Sequence, residues 1–264
     1  MKKIVEKWYK ELEFDKKYDE EFYDILEKYE IDEGAVIDGY SPEKYSDEEN
    51  VLNYLYMCES AKKKYAKLGI DLDIMYATLK DIVFYSAAHS EIKGKFCLGE
   101  YGWITRHLSL NLFQLGRLQF GMGECEHNIP EKDIAKGDNV LEMHIPEGGP
   151  LTKEACLESV ALAKEFFAKY FPDFKYVHFT TDTWLLDTTI NDLLKPESNI
   201  IKFQEMFDIV ERKKSDEILR YVFKWNSDRS NIKDEFCKSK FAELIKTRAL
   251  SGGDFYEALG VLKQ

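Results

Sequence analysis

Two hydrophobic periods divide the chain. Up to about residue 113, apolar side chains recur every three or four positions: Ile4, Trp8 and Leu12 in 2–13; Phe22, Ile25, Leu26 and Tyr29 in 18–30. The pattern continues with Val51, Tyr54, Leu55, Cys58 and Tyr65 in 47–68, then Leu72, Met75, Leu79, Ile82 and Val83 in 71–89. This spacing predicts amphipathic helices. Ser46 or Asp47 caps the third and Gly69 stops it. The punctuation LGEYGW at 98–103 precedes a further helix that runs to about residue 113. The charged residues on these helices read as solvated faces.

Beyond residue 115 the period changes. Residues 115–124 read as a strand, 126–138 as a polar loop, and 140–145 alternate apolar and polar, the mark of a half-buried strand. Two strands joined without an intervening helix form an antiparallel pair. The stretch 139–179 organises this half. Its strand meets a breaker, PEGGP at 146–150, that neither helix nor strand continues through. Thr152 is a good N-cap for an amphipathic helix carrying Cys156, Val160, Ala163, Phe167 and Tyr170, which Pro172 stops before a strand at 176–179. In such strand, turn, helix, strand units, ligands sit where the turn meets the helix N-terminus. A short helix is expected at 189–194, a strand or helix at 200–212, a strand at 219–225 and a helix at 234–250. The reading is an α+β chain with a helical N-terminal domain at 1–115 and a second domain at 116–264.

Composition narrows the function. A formal charge of −12 and pI near 5.1 argue against a nucleic-acid partner, which needs clustered Lys and Arg. No apolar stretch reaches membrane-spanning length, and the N-terminus turns acidic before a signal-peptide core forms. Cysteines at 58, 97, 125, 156 and 237 show no CxxC spacing, so they read as reduced thiols of a cytoplasmic protein. Five histidines without HxxH or HExxH spacing indicate no metal site, and no GxSxG or Walker pattern is present.

The runs LGRLQF at 115–120, HIPEGGPL at 144–151, WLLD at 184–187, SNI at 198–200 and LSGG at 250–253 resemble bacterial two-domain proteins described as GNAT-like N-acyltransferases. The resemblance implies a helical N-terminal domain and a GNAT-like C-terminal domain with a mixed, mostly antiparallel sheet and flanking helices. It implies an acetyl-CoA or other acyl-CoA co-substrate, an amine acceptor that is a small molecule or peptide, and no metal. Carried onto matching positions, Ile145, Gly148, Gly149, Leu151 and Thr152 hold the acyl-CoA. Glu142 and His144, two apart and so on one strand face, with Asp182, serve catalysis, and Arg117 and Trp184 meet substrate.

Each residue also has an ordinary structural reading. His144 reads equally as a hydrogen-bonded strand histidine, Trp184 as a core anchor, Asp182 as a turn residue or cap, and the glycines as a bare turn. The turn departs from the family's usual donor-rich form. Pro150 removes one N–H, while Glu147 and Glu154 put acids where a pyrophosphate would lie. Lys153 is the only local cation, leaving Arg117 or Lys202 to compensate. A non-catalytic ligand sensor and a protein-interaction module therefore stand beside the enzyme reading.

Overall fold

A computed structural model describes residues 1–263. The chain forms two compact units, Met1–Gln114 and Leu115–Gln264. The first is helical: α1 (Lys2–Glu11), α2 (Asp19–Lys28), α3 (Asp47–Leu68), α4 (Leu72–Leu79), α5 (Asp81–Lys93) and α6 (Tyr101–Leu108). The apolar stripes form its core. Val5 and Trp8 of α1 and Val51, Leu52, Tyr54, Leu55 and Cys58 of α3 are fully buried, and the Tyr9 and Phe22 rings stack 3.7 Å apart. Both expected signals on α3 operate. Ser46 Oγ accepts from Glu49 N while Ser46 N donates to Glu49 Oε2, a reciprocal capping box, and Gly69 ends the helix in a left-handed conformation. The helix expected to reach residue 113 stops at Leu108. Leu110 takes φ +62° and the Asn111 amide turns back onto Arg106 O, so residues 112–115 leave as a strand.

The rest of the chain, from Leu112 on, carries a six-stranded sheet among the described residues, in the order β1-β2-β3-β4-β6-β5. The strands are β1 (Leu112–Leu115), β2 (Leu118–Glu124), β3 (Asn139–His144), β4 (His178–Thr183), β5 (Phe207–Lys214) and β6 (Tyr256–Leu262). The β2–β3 pair is antiparallel as expected, as are β4–β6 and β5–β6. The β3–β4 pair is parallel, joined by α7 (Lys153–Tyr170). Cys156, Val160, Ala163 and Phe167 of α7 are buried. The helices α8 (Asn199–Gln204), α9 (Glu217–Val222) and α10 (Lys240–Leu250) complete the unit.

Several expectations are corrected. The strand expected at 219–225 is the end of α9 and a turn. Ile218 and Leu219 are buried while Tyr221 is half exposed, so the buried set follows a helical rather than a two-residue period. Residues 200–212 are both a helix and a strand. The strand expected at 115–124 is interrupted by a tight turn at Gly116 and Arg117, and α10 starts at Lys240 because Ser239 caps it. The strand β6 was not anticipated, although it lies between β4 and β5, one strand in from the edge of the sheet.

Candidate functional site

The sheet opens at one seam. β3 and β4 hold register through Val140↔His178, Leu141↔Phe179 and Glu142↔Thr180, and there it ends. Pairing of β3 with β2 continues to His144, and pairing of β4 with β6 continues to Thr183. Only the β3–β4 ladder is released, so past Glu142 and Thr180 the facing edges of the two strands part. Such an edge accepts an extended, amide-bearing chain.

The 145–152 turn follows β3 and is clipped from below. Arg117 Nε donates to Gly149 O at 2.8 Å and Nη1 donates to Pro146 O at 2.9 Å. The Arg117 backbone is itself anchored, its N–H donating to Ser159 Oγ at 2.7 Å, and Ser159 Oγ donates to Ala155 O within α7. One residue thus ties the β1–β2 turn, the helix and the loop together. Because the peptide N–H points opposite its carbonyl, pinning Pro146 O to Arg117 turns the Glu147 amide away from it. Pinning Gly149 O costs no donor, since the next residue is Pro150. Gly148 adopts φ +150°, a value L side chains avoid. Thr152 Oγ accepts from Ala155 N and Thr152 O from Cys156 N. Among the described residues, the amides of Gly148, Gly149, Leu151, Thr152, Lys153 and Glu154 have no acceptor. The turn therefore presents several N–H groups at a helix N-terminus, despite the missing one at Pro150. Burial draws the Arg117 pKa down from its ordinary value, but a guanidinium stays charged near neutrality.

On the strand, His144 Nε2 lies 3.5 Å from Glu142 Oε2, and both side chains are partly buried. Glu142 crosses Gly123 of β2 so closely that a Cβ there would sit 2.4 Å from Oε1. Gly123 is therefore the residue that lets the carboxylate lie flat on the sheet. Gln119, opposite His144 on β2, shares this face. Asp182 follows by register on the same face. Its Oδ2 accepts from Lys213 Nζ at 3.0 Å, and Lys213 also lies 3.4 Å from Glu257. The bond to Asp182 holds the Lys213 ammonium above its ordinary pKa. Cys156 on α7 is no nucleophile: burial pushes its thiol up to about 11, with Arg117 only partly opposing.

The structure thus joins Arg117 to the turn and Glu142 to His144. Trp184 packs instead with Tyr221 and Phe241, at ring distances of 6.3 and 6.5 Å. The WLLD and LSGG runs are structural in large part. Asp187 is fully buried and accepts from Thr189 and from Tyr256 N, while Arg229 bonds Asp216 and Gly253 O. Ser159 is a site residue that sequence reasoning missed. Its signal is a hydroxyl inside the apolar stripe between Cys156 and Ala163. No cluster of three or more His, Cys, Asp or Glu side chains gathers as for a metal among the described residues, and none of their helices is long and apolar enough to cross a membrane.

Residues 112–262 match the GNAT-like C-terminal domain, and residues 4–110 match the N-acyltransferase N-terminal domain. No curated protein matches the chain. Among solved structures, it is similar to an acyltransferase in complex with decanoyl-CoA (24% identity, TM-score 0.71), over 80% of this chain and 64% of that one. An acyltransferase in complex with decanoyl-CoA and teicoplanin is similar over 98% of this chain and 87% of that one (22% identity, TM-score 0.79). A mutant acyltransferase in complex with octanoyl-CoA matches to the same extent, with the same identity and TM-score. At these identities the likeness is one of fold.

Proposed function

The chain belongs to the family defined by the GNAT-like C-terminal domain, and from that premise we propose that it is an acyl-CoA-dependent N-acyltransferase. The observation that carries this reading is the released β3–β4 seam, ending beneath a turn whose free amides face a helix N-terminus. The arm of an acyl-CoA extends along the seam. Gly148, Gly149, Leu151 and Thr152 offer backbone donors to its pyrophosphate, and Ile145 leads the strand into the turn. Arg117 supplies the cation that the turn's own sequence lacks, offsetting Glu147 and Glu154. The ligands of the similar structures, decanoyl-CoA and octanoyl-CoA, support an acyl donor of this class.

Catalysis in this reading is chiefly positioning. The acceptor nitrogen bonds the acyl carbon, the carbon–sulfur bond breaks, and the CoA thiolate takes up a proton. His144, with Glu142 beside it, receives the proton lost by the amine, directly or through one water. Asp182, tethered by Lys213, adds negative charge on the same face, which favours a cationic amine. The acceptor is then a small amine-bearing molecule or peptide, and Trp184 offers its ring to the acceptor rather than to CoA. The five cysteines, all free thiols, support a cytoplasmic location, where such donors occur.

Calorimetry with CoA and decanoyl-CoA, followed by CoA-thiol release against a panel of amines, tests this reading; no binding at millimolar CoA would refute it. The acid at Glu147 and the missing donor at Pro150 favour one second reading, a GNAT-like ligand-binding protein without turnover. On that reading Glu142→Gln and His144→Ala leave the cellular phenotype intact, while Gly149→Trp abolishes it.

A further inference from the structure

Thr181 is the first residue of β4 past its last pair with β3. By register Thr180 shares a face with Glu142, so Thr181 points to the opposite face, where Leu141, Met143 and Phe179 are buried. Only 3% of Thr181 is exposed, yet its hydroxyl has no hydrogen-bond partner among the described residues. A buried hydroxyl in that condition carries a desolvation cost that valine, of nearly the same shape, would not. Its backbone is paired to β6 through Gly260, so the strand does not need the hydroxyl for its own register. The orphaned group stands at the point where the β3–β4 ladder ends and the facing strand edges part, a place that suits a peptide-like chain.

We propose that the Thr181 hydroxyl is a ligand-binding group, kept unpartnered in the free protein to bond one of the two secondary amides in the pantetheine arm of the acyl donor. The inference rests on the acyl-CoA reading and adds to it a side chain for the arm. Hydrogen-bonding amide rather than hydrocarbon is the chemistry that an orphan hydroxyl beside an open strand edge selects. Phosphate is excluded for this residue because the turn's amides and Arg117 lie beyond the strand end, not in its buried face.

The test compares Thr181→Val and Thr181→Ser in the full chain by thermal melting and by calorimetry with two probes: CoA, and 3′,5′-ADP, which lacks the arm. Val removes the hydroxyl and keeps the shape; Ser keeps the hydroxyl and loses a methyl. The expected melting order is Val above wild type above Ser. For CoA affinity the order reverses, with Ser near wild type and Val about three- to tenfold weaker, the range of one lost neutral hydrogen bond. Binding of 3′,5′-ADP stays unchanged in all three. A merely structural Thr181 moves stability and affinity together, and that outcome overturns the proposal, as does Val binding CoA like wild type. Wild type that binds neither probe refutes the acyl-CoA reading itself, and the inference with it.

Discussion

Arg117→Met is the most informative single change to this site. The substitution keeps a long, linear side chain and the backbone bond to Ser159, but removes the two donors that hold Pro146 O and Gly149 O at 2.9 and 2.8 Å. A hydrogen bond from a charged donor contributes about 1.5–3 kcal/mol when shielded, and the loss falls toward about 1 kcal/mol where water replaces the donor. Gly149 is exposed and Pro146 half-buried, so water reaches both carbonyls. The second unit should therefore lose about 2 kcal/mol, measured by urea unfolding. The same guanidinium acts on a bound pyrophosphate through space. At roughly 8 Å in water each phosphate charge is worth about 0.5 kcal/mol, so two together shift CoA affinity by about fivefold, more at low salt. Arg117→Lys separates the two effects. It keeps the charge but reaches only one carbonyl at a time, so it should recover most of the salt-dependent affinity and little of the stability. If Arg117→Met leaves both urea stability and CoA affinity at wild-type values, the clip has no role in shaping the turn.

Other expectations follow from the same geometry. His144→Ala and Glu142→Gln should lower kcat for acyl transfer by about 10²–10⁴ while leaving the Kd for CoA within twofold, because a proton acceptor acts on the acceptor amine and not on donor binding. Equal losses in CoA affinity would reassign both residues to the binding site. In the helical unit, burial raises the Glu59 pKa, but bonds from Lys7 and Trp8 outweigh it and hold the carboxyl below its ordinary value. A depressed folded pKa means that this stabilisation is present above the unfolded value of about 4.3 and is lost as pH falls through the folded one. Acid unfolding monitored by circular dichroism should thus begin below about pH 4, and Glu59→Gln should flatten that limb; an unchanged acid limb contradicts the assignment. Burial lifts the thiols of Cys97 and Cys156 to about 11 and that of Cys58 further, while Cys237 is half-exposed. Ellman's reagent should therefore modify Cys237 rapidly in the native protein and all five thiols only in urea; fast native reaction of more than one thiol would contradict the burial of the other four.

The order of the helices and the organising stretch of the chain were legible in the sequence because local forces decide them. Helical spacing buried Trp8, Phe22 and Tyr54 as expected, Ser46 and Gly69 bounded α3, and PEGGP at 146–150 broke the chain between β3 and α7. The Glu142–His144 couple followed from a two-residue spacing on one strand, which needs no tertiary information. Where two elements suit the same apolar residues, the sequence was ambiguous. Ile218, Leu219 and Val222 fit a short strand or one helical turn, and only packing against Ile245 and Phe255 selected the helix. The strand β6 escaped notice because its buried residues, Ala258, Gly260 and Val261, do not alternate cleanly along it, so the two-residue period is blurred. Tertiary structure alone decided the rest of the site. Arg117 is 32 residues from Gly149 and has no local reason to bond it. The parting of β3 from β4 after Glu142 is a matter of pairing between strands far apart in the chain, which no spacing of residues encodes.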